Sequence, residues 1–406
     1  MKNLYYDVVI AGCGVAGLYA ALNLPEEMNI LMLSKKDLES CDSMLAQGGI
    51  CVLRDESDYD SYFEDTMRAG HYENRKVSVD IMIRSSRDVI NDLLNFGVRF
   101  AKNPDGSLAY TREGAHSRPR ICFHEDITGK EITTTLLSHV KKCSNVTILE
   151  YTTMTDILVD DGKCTGMVAE TKEGETLHIH ADNTIMATGG IGGLYEHSTN
   201  FPILTGDACR IAKEHGVELE HMDYVQIHPT CLYSKKPGRS FLISESARGE
   251  GAVLLNHKGE RFVNELLPRD VVTKAIQEEM KKEGVEYEWI SFAHVPKEII
   301  LKHFPHIYEK CLEEGYDLLK EPAPIVPAQH YFMGGVHVNR DSATTMPNLY
   351  AVGETSCNGV HGKNRLASNS LLESLVFAKR AAVKIQNEEK GNEDHEFESN
   401  YHAACC

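Results

Sequence analysis

Asp7-Val8-Val9-Ile10-Ala11-Gly12-Cys13-Gly14-Val15-Ala16-Gly17 decides the fold. Asp7 to Ala11 reads as a short apolar strand, and GxGxxG follows it directly. An apolar helix then runs to about Leu24, and Asn29 to Leu33 forms a second strand. In such a βαβ unit the glycines serve the tight turn, the close approach of backbone to a pyrophosphate, and the packing of helix on strand. The stretch therefore predicts a dinucleotide-binding domain that begins at the N-terminus. The second strand usually ends in an acid that reaches the ribose. Here it ends in Ser34-Lys35-Lys36, so contacts to ribose or phosphate fall to Ser34 and Lys35.

The chain has 406 residues, room for two domains or for one large domain carrying an insertion. Its formal net charge of -18 argues against a nucleic-acid or anionic-membrane surface, since such partners require clustered Lys and Arg. An anionic substrate would need a local cationic pocket. The N-terminus shows no signal-peptide core, and no apolar run approaches the roughly 18 residues of a membrane helix. A cytoplasmic protein is expected. The 12 cysteines are scattered, with no CxxC pair, so neither a disulfide framework nor a metal site is favoured.

Outward from the first turn, Asp42-Ser43-Met44-Leu45-Ala46-Gln47-Gly48-Gly49 is small-residue and Gly-rich. Its backbone N–H groups suit a flavin edge, although an ordinary glycine turn reads equally well from these residues alone. Asp58 to Phe96 has helical periodicity with Gly97 as its stop, and a helix is expected from about Lys130. The charged stretch Thr111 to Arg120 is broken by Gly and Pro and reads as a loop. Val146 to His180 reads as a β-meander, and Thr184 to Thr188 as a separate buried strand. Asp207 suits either a helix N-cap or a sugar hydroxyl. The texture changes between His221 and Phe332, where polar loops and helices alternate.

Near the end, Leu349 to Val352 forms a strand, Gly353-Glu354 a corner, and Ser368-Asn369-Ser370 opens a helix. A helix start offers unpaired N–H groups and positive dipole, and Arg365 adds a fixed cation. This corner is expected to hold a flavin on one side and a dicarboxylate on the other.

GCGVAG, AQGGI, TREGAHS, ATGG, TGDA, HPT, SESARGEGA, LPRD, HYFMGG, AVGE and NRLASNSLLE occur in that order over nearly the whole chain. Together they resemble the flavoproteins of the fumarate reductase/succinate dehydrogenase superfamily, and within it the L-aspartate oxidases. The resemblance implies an α/β fold: a Rossmann-like FAD-binding domain with a β-meander (1–221 and 333–388) and an inserted α+β capping domain (222–332). Residues 389–406 would be an acidic tail, with the helical C-terminal domain usual in that branch absent. It implies FAD, held by Gly12, Cys13, Gly14, Val15, Ala16, Gly17, Ser34, Lys35, the loop Asp42–Gly49, Asp207, Glu354, Ser370 and Leu371. Asp42 stands where succinate dehydrogenases carry the flavin-linking His, so non-covalent binding is expected.

The same resemblance assigns Arg269 to proton transfer, with Glu245 and Arg248 as its relay. Glu113, His228, Ser244, His330 and Arg365 would bind substrate. Glu113 carries the choice of substrate: membrane-complex members have Gln there, and aspartate is succinate plus an ammonium group that a carboxylate can receive. From the LPRD residues alone, Arg269 reads as a surface ion pair with Asp270. The implied reaction oxidises L-aspartate to iminoaspartate with O2 or fumarate as acceptor, on the route through quinolinate to NAD, with coupling to a quinolinate synthase as a possible link. The rival readings are a soluble fumarate reductase and a flavin-binding partner protein of reduced activity.

Overall fold

The computed structural model describes residues 2–236 and 238–403, with side chains described to Glu388. Strand β1 (Lys2–Ala11) starts earlier than Asp7, and only its last four residues are buried throughout. Helix α1 (Val15–Asn23) follows the glycine turn, and β2 (Ile30–Leu33) returns parallel to β1. Gly12 has φ +118°, and a Cβ there would lie 2.0 Å from the Ala187 carbonyl oxygen; one at Gly17 would lie 2.0 Å from that of Gly12. Both positions exclude a side chain, which is why the turn is spelled in glycines.

The main sheet is completed by β3 (Val146–Leu149), β4 (Thr152–Asp160), β5 (Lys163–Thr171), β6 (Thr176–Met186) and β7 (Leu349–Ala351), in the order β3-β2-β1-β6-β5-β4 with β7 also on β6. Two expectations are corrected here. Val146 does not begin the meander: β3 pairs parallel with β2 and belongs to the Rossmann core. Thr184–Thr188 is not a separate strand either, because β6 runs unbroken from the meander into that core. Its outer half alternates in burial and pairs antiparallel with β5; its inner half is buried on both faces and pairs parallel with β7. The switch from alternating to continuous apolar pattern makes one strand read as two.

The helical stretch 58–96 divides into α2 (Tyr59–Ala69) and α3 (Lys76–Phe96). The break falls at Gly70, after which His71 and Tyr72 both take positive φ. Gly97, at φ +94°, stops α3 as expected. Helix α4 (Thr128–Val140) begins slightly before Lys130, and α5 (Asp207–Glu214) begins at Asp207.

The chain leaves this layer through Leu219–Glu220 and re-enters through Gly335–His337, two short strands paired antiparallel. Between them lies a five-stranded antiparallel sheet in the order Phe241–Leu242, Val225–Leu232, Ala323–Phe332, Glu288–Ser291, Val253–Leu255. Helices α6 (Glu245–Gly249), α7 (Arg269–Glu283), α8 (Lys297–His303) and α9 (Pro305–Glu313) accompany it. This body has its own core, including Leu254, Ile276, Ile290, Phe292 and Phe304.

Helix α10 (Asn369–Ala403) packs its apolar face on α1 and α3. The acidic segment after 388, expected as a tail, has helical backbone to Ala403. Its Glu-rich sequence favours helix and extends one already nucleated. Its side chains, and Cys405 and Cys406, lie outside the described residues. Among the described residues no helix is long and apolar enough to cross a membrane, and the ten described cysteines are free.

Candidate active site

A single cleft runs along the carboxyl ends of β1, β2 and β6 to the face of the five-stranded sheet. It encloses about 1640 Å³ including its open mouth. Its wall at one end carries Gly12, Cys13, Gly14, Val15, Ala16, Ser34 and Lys35. Asp42, Ser43, Leu45, Ala46, Gln47, Gly48 and Gly49 line its middle, with Asp207, Glu354, Ser370 and Leu371. Glu113, Ser244, Glu245, Arg269, His330 and Arg365 line the far end.

Four of the residues expected at the site do not line this cleft. Gly17 packs beneath the turn against Gly12. Met44 turns toward α4, where its sulfur accepts from Thr134 Oγ1 at 3.8 Å. His228 and Arg248 are buried one layer behind the wall.

Asp207 is not an N-cap. Gly206 holds that position at φ +71° without a side-chain cap. The oxygens of Asp207 are taken by Lys35 Nζ (2.7 Å) and Thr205 Oγ1 (2.8 Å). Lys35 also donates to the Ile203 carbonyl at 2.9 Å, so the Ser-Lys ending of β2 ties the base of the cleft to α5. Asp42 accepts from the Phe201 N–H at 2.9 Å, and burial pushes its carboxyl up to about 7. Burial, reinforced by Asp42, likewise pushes Glu354 up to about 8.

At the far end, Arg365 is 4 % exposed. Its guanidinium lies 4.4 Å from the Tyr331 ring centroid, and Nη1 donates to Ser370 Oγ at 2.9 Å. Nε has no partner. Burial and then Arg269 lower its pKa to about 10. This is an uncompensated cation in an acidic protein, the setting an incoming carboxylate relieves. Arg269 is no surface residue: Nε donates to Glu245 at 2.5 Å and Nη1 to Gln226 Oε1 at 2.9 Å. Asp270 turns away to His71 at 2.8 Å. Glu245 is raised by burial but lowered more by Arg269 and Arg248, and stays anionic.

His330 meets Thr199 Oγ1 at 2.7 Å through Nδ1, and the ring of His228 lies 5.2 Å away. Burial, then Arg269, holds both imidazoles well below their usual range, so both are neutral. The Nε2 atom of His228 has no partner. Glu113 is 2 % exposed, and burial followed by Glu245 raises its carboxyl above the usual range.

Motif reading passed over two residues. Gln226 stands two positions before His228 in one strand, which was its available signal. It clasps Arg269 on one side and donates to the Arg365 carbonyl oxygen at 2.8 Å on the other. Arg239 lines the cleft and acts on Asp42. It stands alone in a Gly-containing loop, and no local pattern marks it.

The FAD binding domain family matches residues 7–371. L-aspartate oxidase of Clostridium perfringens is 52% identical over 382 residues, covering 94% of this chain and 87% of that relative. The L-aspartate oxidase of Clostridium acetobutylicum is 48% identical, with 95% of this chain and 89% of the relative covered. Among solved structures, a quinol fumarate reductase flavoprotein of E. coli superposes with TM-score 0.89 at 32% identity, covering 95% of this chain and 71% of that one. The chain belongs to the L-aspartate oxidases of the FAD-binding family.

As in an FAD-binding protein, the cleft fits the cofactor on its own chemistry. Helix α1 opens on it at Gly14, which has no capping side chain; Ser43 Oγ accepts from the Val15 N–H at 3.1 Å, and the following N–H groups and the dipole face a pyrophosphate. The glycine turn gives the backbone access, and Asp42 Oδ2, Gln47 Oε1 and Asn200 Oδ1 are buried polar atoms on its walls without protein partners. Glu113 and Arg365, expected to read the amine and the acid, line the same cleft as the AQGGI loop.

Proposed function

We propose that the chain oxidises L-aspartate to iminoaspartate at this far end, with FAD lying between the glycine turn and the AQGGI loop. The observation that carries the reading is the buried carboxylate of Glu113 in the same wall as the uncompensated guanidinium of Arg365. Aspartate offers one ammonium and two carboxylates, and this pocket offers several donors and the Glu113 carboxylate, the other anion of its wall, Glu245, being paired with Arg269. Arg365 grips one carboxylate through its planar fork. His330 and Ser244 bind the other, with His228 supporting from behind.

Glu113 receives the ammonium. Burial has raised its proton affinity, so it suits the proton the amine must lose before Cα gives up hydride. Arg269, held by Glu245 and Gln226, places a fixed positive charge beside the reacting carbon; Arg248 holds Glu245. Bound FAD would supply the two-electron acceptor, with O2 (giving H2O2) or fumarate (giving succinate) as the final acceptor. Loss of one hydride and one proton from aspartate balances iminoaspartate. Asp42 offers no imidazole for a flavin link, so the cofactor is held non-covalently. Residues 222–332 act as a cap that closes over the substrate and excludes water. The product continues toward quinolinate and NAD, with transfer to a quinolinate synthase, in the cytoplasm.

The test is anaerobic reduction of the bound flavin. Bleaching by L-aspartate and not by succinate is expected. Bleaching by succinate alone would replace this reading with a soluble fumarate reductase.

A further inference from the structure

Both oxygens of the Glu113 carboxylate are occupied by hydroxyls from different parts of the molecule. Oε1 accepts from Ser246 Oγ at 2.8 Å, and Oε2 from Ser368 Oγ at 2.5 Å. Ser246 lies in α6 and is itself anchored, its N–H donating to Ser244 Oγ at 3.2 Å. Ser368 immediately precedes α10 and takes φ +61°, a left-handed conformation that costs a serine free energy. Its carbonyl accepts from the Cys51 N–H at 3.1 Å. A Cβ on Gly48 would fall 2.1 Å from Glu113 Oε1 and 3.3 Å from Ser368 Oγ, so the clasped carboxylate sits against the AQGGI loop.

We infer that Ser246 and Ser368 are specificity-determining positioning residues: a two-hydroxyl clamp that aims the Glu113 carboxylate at the substrate's ammonium group and keeps it ionised. The inference rests on the reading of Glu113 as the amine receptor. Each hydroxyl donates its one proton, so the clamp favours the acceptor-only, anionic form of the acid. A neutral acid would have to surrender one of the two bonds. The other groups around Glu113 do not replace the clamp. Glu245 on α6 opposes its charge; Arg269 on α7 supports it; Arg248 and Arg365 see it at longer range.

The clamp also joins two bodies, since Ser246 comes from the five-stranded-sheet body and Ser368 from the corner before α10. The amine receptor is therefore assembled only when these bodies meet. A strained backbone at Ser368 is consistent with that hydroxyl being needed where it is.

The test uses the flavin-loaded protein with Ser246→Ala, Ser246→Thr, Ser368→Gly and Glu113→Gln. Glycine suits the left-handed conformation of Ser368, so Ser368→Gly removes the hydroxyl without adding strain. Flavin absorbance reports folding and loading. Loss of either hydroxyl is expected to raise the KM for L-aspartate about tenfold, one pKa unit's worth of interaction, and to move the acidic limb of kcat/KM to higher pH. Succinate affinity, read from the perturbed flavin spectrum, is expected to stay within about twofold, because succinate has no amine for Glu113 to receive and its carboxylate contacts lie elsewhere. Ser246→Thr restores the parent values.

If Ser246→Ala and Ser368→Gly leave both the KM and the limb in place while Glu113→Gln loses aspartate selectivity, the clamp is overturned and the amine receptor stands. If Glu113→Gln itself keeps selectivity, the reading beneath the clamp falls too. Equal weakening of succinate and aspartate by the serine variants would reduce both residues to packing and overturn the proposal.

Discussion

At the scale of single residues, the site is a set of charges kept from water and from one another. The Arg365 guanidinium lies over the Tyr331 ring and donates to Ser370 Oγ, and no carboxylate among the described residues pairs with it. Arg365→Ala should therefore keep FAD, with an unaltered flavin spectrum, and raise the KM for aspartate by about 100-fold, the order of a lost charge-assisted bidentate contact. An unchanged KM would remove Arg365 from substrate binding.

Glu113 sets a pH limit. Burial and Glu245 raise its carboxyl, and the anion is the form that receives an ammonium. Activity is thus lost as pH falls through the raised value. The acidic limb of kcat/KM should stand above the ordinary ~4.3 of a glutamate and disappear in Glu113→Gln. That variant should lose aspartate oxidation about 100-fold while fumarate reduction falls far less, measured as two steady-state assays on one preparation.

At the scale of elements, the first turn and the last helix carry the site. Gly12→Ala would put a methyl 2.0 Å from a backbone carbonyl oxygen at φ +118°. The expected outcome is protein purified without flavin, or with a Tm far below the parent. Helix α10 contains the buried Glu373, pushed up to about 7 by burial and held by the Asn358 side-chain amide. A carboxyl whose folded value lies above its unfolded value binds an extra proton on folding. Stability is then greatest below the unfolded value and falls as pH rises toward about 7. Glu373→Gln should remove a penalty on the order of 3 kcal/mol at pH 8 and little at pH 4. Melting curves at the two pH values would show a rise in Tm for the variant only at the higher one.

At the scale of the whole molecule, the proposed substrate pocket is lined from two bodies with separate cores. Arg365 and Ser370 belong to the corner leading into α10, His330 to a strand of the five-stranded sheet, and Arg269 to the first turn of α7. A dicarboxylate that bridges them should slow amide hydrogen exchange where the chain passes between the bodies, at 221–224 and 333–335. Succinate added to the flavin-loaded protein is the probe, and exchange unchanged at both crossings would argue that closure is not coupled to binding.

Much of this was readable in the sequence because its cause is local. A βαβ turn needs glycine at fixed spacing, so Gly12 to Gly17 announced a dinucleotide-binding fold by steric exclusion. Gly97 announced the end of α3 for a similar reason. Ordered motifs named Glu113, His330 and Arg365 as substrate contacts. What stayed hidden depends on partners far along the chain. One strand read as two, since β6 changes from a half-exposed to a fully buried environment part-way along. Asp207 read as either a cap or a sugar contact; Gly206 holds the cap position, and Lys35, 172 positions away, pairs with Asp207. Arg239 carried no pattern, and Gln226 only its place two positions before His228. His228 and Arg248 lie behind the wall because depth is a property of packing, not of spacing.

The sequence by itself determined the cofactor turn, the family and the identity of the charged groups, all of which follow from backbone sterics and side-chain chemistry over short spans. Only the tertiary structure decided which charges meet. It buried Arg365 without a counter-ion among the described residues, paired Arg269 with Glu245 rather than Asp270, and brought Ser246 and Ser368 together on Glu113 from positions 122 residues apart. The proton affinity of a carboxyl is set by desolvation and by neighbours in space, and no linear pattern records either.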